Sequence, residues 1–124
     1  MYDRNNLTGR VIGCAIEAHR HLGPGLLESA YQQSLTDELR LCGINFRTKQ
    51  LIPLEYNGVR LDYDYRIDLI IEDEIILELK SVNKLLPVHE AHLLTSMRLS
   101  KTYTGLLINF NTHILKNGIE RFAL

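Results

Sequence analysis

The sequence predicts an α/β fold in which a mixed β-sheet is flanked by α-helices, with the elements in the order α-α-β-β-β-α-β-β. Three observations predict it: two stretches of helical period, a central block of strand-like segments joined by tight turns, and an apolar strand segment after a third helical stretch. Apolar residues make up 45% and charged residues 23% of the chain, which is ordinary for a globular protein. The 124 residues suit one domain, assigned to residues 1–124.

Two helices are predicted first, at residues 7–22 and 26–42. Apolar residues recur in both at three- and four-residue spacing, which is typical of a helix with one buried face. A turn that contains glycine follows each helix, because glycine readily adopts the left-handed conformation that ends a helix. Cys14 and Cys42 fall on the apolar sides, so both are predicted to be buried, reduced thiols.

The strands follow from short apolar or alternating runs bounded by turn residues. Asn57-Gly58 is a strong signal for a two-residue hairpin turn, and Glu72-Asp73-Glu74 forms the next tight turn. The remaining elements are predicted as strands at residues 46–56, 59–71, 75–82, 103–109 and 119–123, with a helix at residues 88–100.

The hairpin around Glu72-Asp73-Glu74 contains the most informative residues. Alternation along its strands forms one wholly aliphatic face, made of Ile67, Leu69, Ile71, Ile75, Leu77 and Leu79. On the other face, Asp68 is predicted to lie opposite Glu78. Two carboxylates with Cβ atoms about 5 Å apart repel each other, so a sequence that keeps both needs a cation between them. Mg²⁺ (or Mn²⁺) suits such oxygen ligands and leaves positions for water and phosphate.

Lys80 follows Glu78 on the same face and is predicted to lie opposite Arg66. Its ammonium group is placed to orient an attacking water or to neutralise charge on phosphorus, which together with a metal ion suits phosphodiester hydrolysis. The alternative is a solvent-exposed face with weak surface ion pairs. Apolar runs beside the turn favour the first interpretation, because they place the charges at the rim of a cleft.

Two residues of the second predicted helix are further candidates. Glu28 lies in its first turn, where the helix dipole favours an acidic residue; the functional alternative is a further metal ligand, direct or through water. Tyr31 lies one turn later, and it is predicted to combine a core position with a hydroxyl that reaches the cleft.

These residues resemble the PD-(D/E)xK nuclease superfamily, with Asp68, a spacer of nine residues, and then Glu78-Leu79-Lys80, preceded by a helix that bears Glu28. The segments Gly25–Tyr31 and Gly105–Phe110 also resemble the small GxxExxY proteins of that superfamily. The resemblance implies a restriction-endonuclease-like fold and a Mg²⁺-dependent nuclease site. It implies catalytic roles for Glu28, Asp68, Glu78 and Lys80, of which the three carboxylates are the expected metal ligands.

The sequence departs from related nucleases on the helix that follows. They often have Gln and then Tyr four residues later, where this chain has His92 and Ser96. His92 is still able to form a hydrogen bond in the cleft, so it is an accessory candidate together with Tyr31 and Arg66. His89 and His92 have the spacing of a metal pair, but no third nitrogen or sulfur ligand is near in sequence, so no zinc site is expected.

The leading hypothesis is a metal-dependent nuclease that acts on nucleic acid, with DNA preferred to RNA. The formal net charge of −1 argues against a protein that coats nucleic acid by bulk charge. One alternative is a catalytically degenerate nuclease-fold module that binds nucleic acid or a protein partner; another is a purely structural protein. A cytoplasmic location without membrane association is expected, because the sequence has no membrane-spanning run and residues 1–6 have no signal-peptide character. A homodimer is expected by analogy alone.

Overall fold

The computed structural model describes residues 4–124, which form one five-stranded sheet with helices on both faces. The elements are α1 (Arg4–Leu22), α2 (Glu28–Leu41), β1 (Phe46–Tyr56), β2 (Val59–Ile71), β3 (Ile75–Lys80), α3 (Pro87–Ser100), β4 (Thr104–Asn109) and β5 (Ile119–Ala123). The predicted order is confirmed, and a short 3₁₀ helix, Leu115–Gly118, precedes β5. Residues 1–3, on which part of the signal-peptide prediction falls, lie outside the described residues.

The strands lie side by side in chain order, β1 to β5. Neighbours are antiparallel except β3 and β4, which are parallel and are connected through α3. A parallel pair needs a crossover connection, and this one places α3 against a face of the sheet. In the described part of the chain, no helix combines the length and the apolar character that crossing a membrane would require.

Two apolar clusters fill the two faces of the sheet. The larger one, called the α1/α2 core, lies between the sheet and the first two helices, and its buried members include Leu7, Val11, Tyr31, Leu35, Leu69, Leu77, Leu106 and Phe110. The smaller one, called the α3 core, consists of Ile67, Ile70, Ile76, Leu93, Met97 and Leu107. Leu106 and Leu107 therefore face opposite sides, as alternation along a strand requires.

The hairpin of β2 and β3 has the predicted register next to its turn. The ladder joins residues 69–71 to residues 75–77 and then ends. Two predicted pairings beyond this point do not form: Asp68 with Glu78, and Arg66 with Lys80. The reason is that each strand is held by its other neighbour from there on. β2 continues against β1, and β3 continues against β4, where Lys80 pairs with Asn109.

The divergence of the two strands coincides with a local irregularity in β1. Lys49 has a left-handed φ of 55° and lies across from the Asp68 step of β2. Such a conformation is unusual for a residue with a side chain, and it changes the local twist of the ribbon. Beyond this point Ile67 packs in the α3 core, whereas alternation placed it on the same face as Leu69.

The two cysteines differ in exposure. Cys14 is buried in the α1/α2 core as predicted, but Cys42 is exposed, so that part of the prediction is wrong. Cys42 is the C-cap of α2, where the helix and its apolar face have ended. The two Sγ atoms lie 3.7 Å apart as free thiols. Burial, followed by the interaction with Cys42, raises the pKa of Cys14 to about 12.

Candidate active site

The carboxylate of Glu78 is the most buried charge of the site. Glu78 lies in the central strand β3, and only 2% of the residue is exposed. Its Oε2 atom is 3.0 Å from His92 Nδ1 and 3.6 Å from Lys80 Nζ. An ionised carboxylate only accepts hydrogen bonds, so His92 Nδ1 is the donor. Because both partners use Oε2, Oε1 is left without a hydrogen bond from any described residue.

Asp68 lies on β2 just past the point where that strand leaves β3. Its Oδ1 atom is 3.3 Å from Arg66 Nε, and both side chains are partly exposed. Asp68 and His92 line one cavity of about 430 Å³, whose other lining residues are Tyr63, Asp64, Tyr65 and Arg66. The diverging strands thus place Asp68 at an open cavity whose wall includes His92, and His92 in turn contacts Glu78.

Glu28 is the first residue of α2 and is exposed. The segment that leads into it is tied to the end of β3, because Ser81 Oγ donates a hydrogen bond of 2.5 Å to the Leu26 carbonyl. The structure does not bring Glu28 into one ligand set with Asp68 and Glu78. Among residues 4–124, no three or more His, Cys, Asp or Glu side chains form a group that could hold a metal ion.

Tyr31 belongs to the core. Its ring is fully buried and stacks on Phe110 with 4.5 Å between the ring centroids. Its hydroxyl donates to the Gly23 carbonyl at 2.5 Å and accepts from the Leu26 amide at 3.1 Å. The hydroxyl therefore closes the turn between α1 and α2, so the predicted reach of Tyr31 into the cleft is not observed.

The strand end beyond Lys80 is held by an asparagine of β4. Asn109 is buried, and its Nδ2 donates to the Val82 carbonyl at 2.9 Å while its Oδ1 accepts from the Val82 amide at 3.1 Å. The side-chain amide thus pairs with the N–H and C=O groups of Val82, as the backbone of a neighbouring strand would, at a point where β3 has already ended. These two hydrogen bonds fix the backbone just after Lys80 and so limit where its ammonium group can reach.

Tyr65 is a residue of the site that the sequence did not reveal. Its hydroxyl donates to the His92 carbonyl at 3.1 Å and lies 3.1 Å from Ser96 Oγ. Burial raises the pKa of Tyr65, the carboxylates of Glu78 and Asp68 add to this effect, and the Ser96 hydrogen bond opposes it. Along β2, Tyr65 is two residues before Ile67, a spacing that is equally typical of a core residue, so no sequence signal identified it.

The chain matches one family model over residues 5–122, described as the PD-(D/E)XK nuclease superfamily. No curated protein and no solved structure matches it. The five-stranded mixed sheet with three α-helices is consistent with the restriction-endonuclease-like fold of that superfamily, whose nucleases generally use divalent metal ions. The narrower resemblance of Gly25–Tyr31 to the GxxExxY proteins stays a prediction. Since the match covers nearly the whole chain, the protein belongs to the PD-(D/E)XK nuclease superfamily.

Proposed function

We propose that the protein is a divalent-metal-dependent nuclease that hydrolyses phosphodiester bonds in nucleic acid, with DNA as the preferred substrate. Membership of the superfamily supports nuclease activity. The observation that carries the proposal is the buried carboxylate of Glu78, which lies beside Lys80 and behind a cavity lined by Asp68. A buried carboxylate is costly unless it is paired, and this one is kept with His92 and Lys80 beside it.

The donor set fits Mg²⁺ or Mn²⁺. Both ions prefer oxygen ligands, and Mg²⁺ is often held by one or two carboxylates together with waters and substrate phosphates. Glu78 offers Oε1, and Asp68 offers a partly exposed carboxylate. Glu28 is exposed and does not form a ligand group with Asp68 and Glu78. Its proposed contact with the metal ion is therefore made through a bridging water. When bound, the ion lowers the pKa of water and offsets charge on the phosphate.

The basic residues supply the other part of the chemistry. The Lys80 side chain is 21% exposed, so its ammonium group has access to a phosphate oxygen while it stays near Glu78. There it stabilises the negative charge that develops on the phosphoryl oxygens. Arg66 is more exposed and is already oriented by Asp68, which suits it for contact with a neighbouring phosphate of the substrate.

A plasmid-nicking assay tests the proposal. The wild-type protein nicks supercoiled DNA when Mg²⁺ or Mn²⁺ is added, and Asp68→Ala lowers the rate on the order of 100-fold or more because a metal ligand is lost. Asp62→Ala is the matched control, since it removes an exposed carboxylate from the same strand and leaves the rate unchanged. RNA of similar length is cut more slowly. Wild-type protein that is inert with both metals contradicts the proposal.

A non-catalytic module that binds nucleic acid is the second candidate. It is favoured by the ion pairs that already occupy the acids, Asp68 with Arg66 and Glu78 with Lys80, and by the lack of a three-ligand metal group among the described residues. This candidate predicts that wild type and Asp68→Ala are equally inert and shift DNA equally in a gel.

The nuclease proposal includes a homodimer, because two sites are needed to cut two strands. Light scattering measures the mass in solution and so checks it.

A further inference from the structure

We infer that Tyr65 and His92 are positioning residues that hold the Glu78 carboxylate in its working orientation. The inference rests on the proposed function, because it assigns the device that presents a metal ligand of that site. It concerns a relay across three elements: the Tyr65 hydroxyl on β2, the His92 residue on α3, and the Glu78 carboxylate on β3.

The first step of the relay is the hydrogen bond from His92 Nδ1 to Glu78 Oε2, at 3.0 Å. Lys80 approaches the same oxygen at 3.6 Å. With both partners on Oε2, rotation of the carboxylate is restricted, and Oε1 is the oxygen left for a ligand. In a neutral imidazole whose Nδ1 donates, the single ring proton is on Nδ1 and Nε2 has none.

The second step holds His92 itself. The Tyr65 hydroxyl and Ser96 Oγ donate to the His92 carbonyl at 3.1 Å and 3.0 Å. The Tyr65 ring also lies against the imidazole, with 5.4 Å between centroids and 52° between the planes. Tyr65 therefore contacts both the backbone and the ring of His92, which limits the directions in which Nδ1 can point.

Position distinguishes this relay from ordinary core packing. The His92 side chain is 42% exposed and lines the same cavity as Asp68. A histidine needed only to fill the α3 core would be buried among its apolar members. Its ring lies instead between the buried carboxylate and the open cavity, where a metal ion and substrate would be bound.

Metal binding tests the role of the hydrogen bond. Calorimetry with Mn²⁺ compares wild type with His92→Ala, His92→Gln and Tyr65→Phe. His92→Ala weakens Mn²⁺ binding about 10–100-fold, the range found when a residue that orients a metal ligand is lost. His92→Gln keeps an N–H donor and restores binding to within about threefold, and Tyr65→Phe lies between the two. His92→Ala binding Mn²⁺ as well as wild type would overturn the inference.

Ring-nitrogen NMR tests the relay without metal or activity. His92 in the wild-type protein shows the proton on Nδ1, and Tyr65→Phe or Glu78→Gln shifts it toward a mixture of tautomers. His89, on the same helix, is an internal control with the opposite tautomer, because its Nδ1 accepts from the Leu86 amide at 3.0 Å. A His92 ring with a proton on Nε2 and none on Nδ1 overturns the inference. A wild-type protein that neither binds Mn²⁺ nor nicks DNA contradicts the proposed function, and this NMR result is still decisive for the relay.

Discussion

The two faces of the sheet are built from different chemistry. The α1/α2 core is apolar apart from the phenol group of Tyr31, which closes a turn, and the thiol of Cys14, and it contains no carboxylate. The smaller α3 core borders a polar network in which Tyr65, His92 and Glu78 are hydrogen-bonded in series. Apolar burial stabilises a fold, whereas a buried carboxylate costs free energy unless it is paired. α1 and α2 therefore mainly supply stability, and α3 mainly shapes the site.

Two neighbouring leucines of β4 give the largest expected effects. Leu106 faces the α1/α2 core, Leu107 faces the α3 core, and both are fully buried. Replacing either with Ala leaves a cavity and lowers the free energy of unfolding by about 2–5 kcal/mol, as measured in urea. Only Leu107→Ala should also weaken Mn²⁺ binding, because it loosens the support of α3. A greater loss of Mn²⁺ affinity in Leu106→Ala than in Leu107→Ala would contradict this division of roles.

Gly105 offers a sharper perturbation of the α3 side. A Cβ atom there would lie 2.5 Å from Met97 Sδ and 3.0 Å from Leu93 Cδ1, so these two buried side chains of α3 would have to move. We expect Gly105→Ala to lower the free energy of unfolding by about 1–3 kcal/mol. The matched control is Gly9→Ala in α1, where nothing lies within 4 Å of the added atom. That change should stabilise the protein by about 0.5–1 kcal/mol in the same urea titration. Equal effects of the two changes would contradict the packing argument.

The two tyrosines allow the same small change on each face. Tyr31→Phe leaves the Gly23 carbonyl and the Leu26 amide without their partner and should lower the free energy of unfolding by about 1–3 kcal/mol. Tyr65→Phe should cost less, because Ser96 still donates to the carbonyl that loses the phenol. Thermal unfolding and Mn²⁺ calorimetry on both variants check this. The expected outcome is a larger stability loss for Tyr31→Phe and a larger affinity loss for Tyr65→Phe; the reverse would contradict it.

Glu120 gives the smallest expected effect, at the edge of the α3 side. Burial raises its pKa above the ordinary value of 4.5, and the facing carboxyl of Glu90 raises it further. A raised pKa in the folded state means that the contribution of Glu120 to stability is greatest below pH 4.5 and is lost as pH rises through the folded pKa. Glu120→Gln should therefore be more stable than wild type at neutral pH but not below pH 4.5. Urea unfolding at both pH values measures the difference in the free energy of unfolding between Glu120→Gln and wild type. A difference that does not change with pH would contradict an origin in the ionisation of Glu120.

Local patterns in the sequence were sufficient for the order of the elements and for the turns. Helical spacing, the Asn57-Gly58 hairpin and the register next to Glu72-Asp73-Glu74 depend on residues close in the chain, and the structure confirms them. The same patterns correctly identified the α/β fold class. They also identified Asp68 and Glu78 as acidic residues among apolar neighbours.

Tertiary structure decided how those acids are arranged. The separation of β2 from β3 depends on β1 and β4, which hold the two strands from their outer sides. The hydrogen bond from His92 to Glu78 depends on α3 packing across β3. The sequence by itself determined which elements form and which chemical groups they contain. Only the packing of elements distant in the chain decided which groups meet, because the spacing of residues within one helix or strand does not specify contacts between elements.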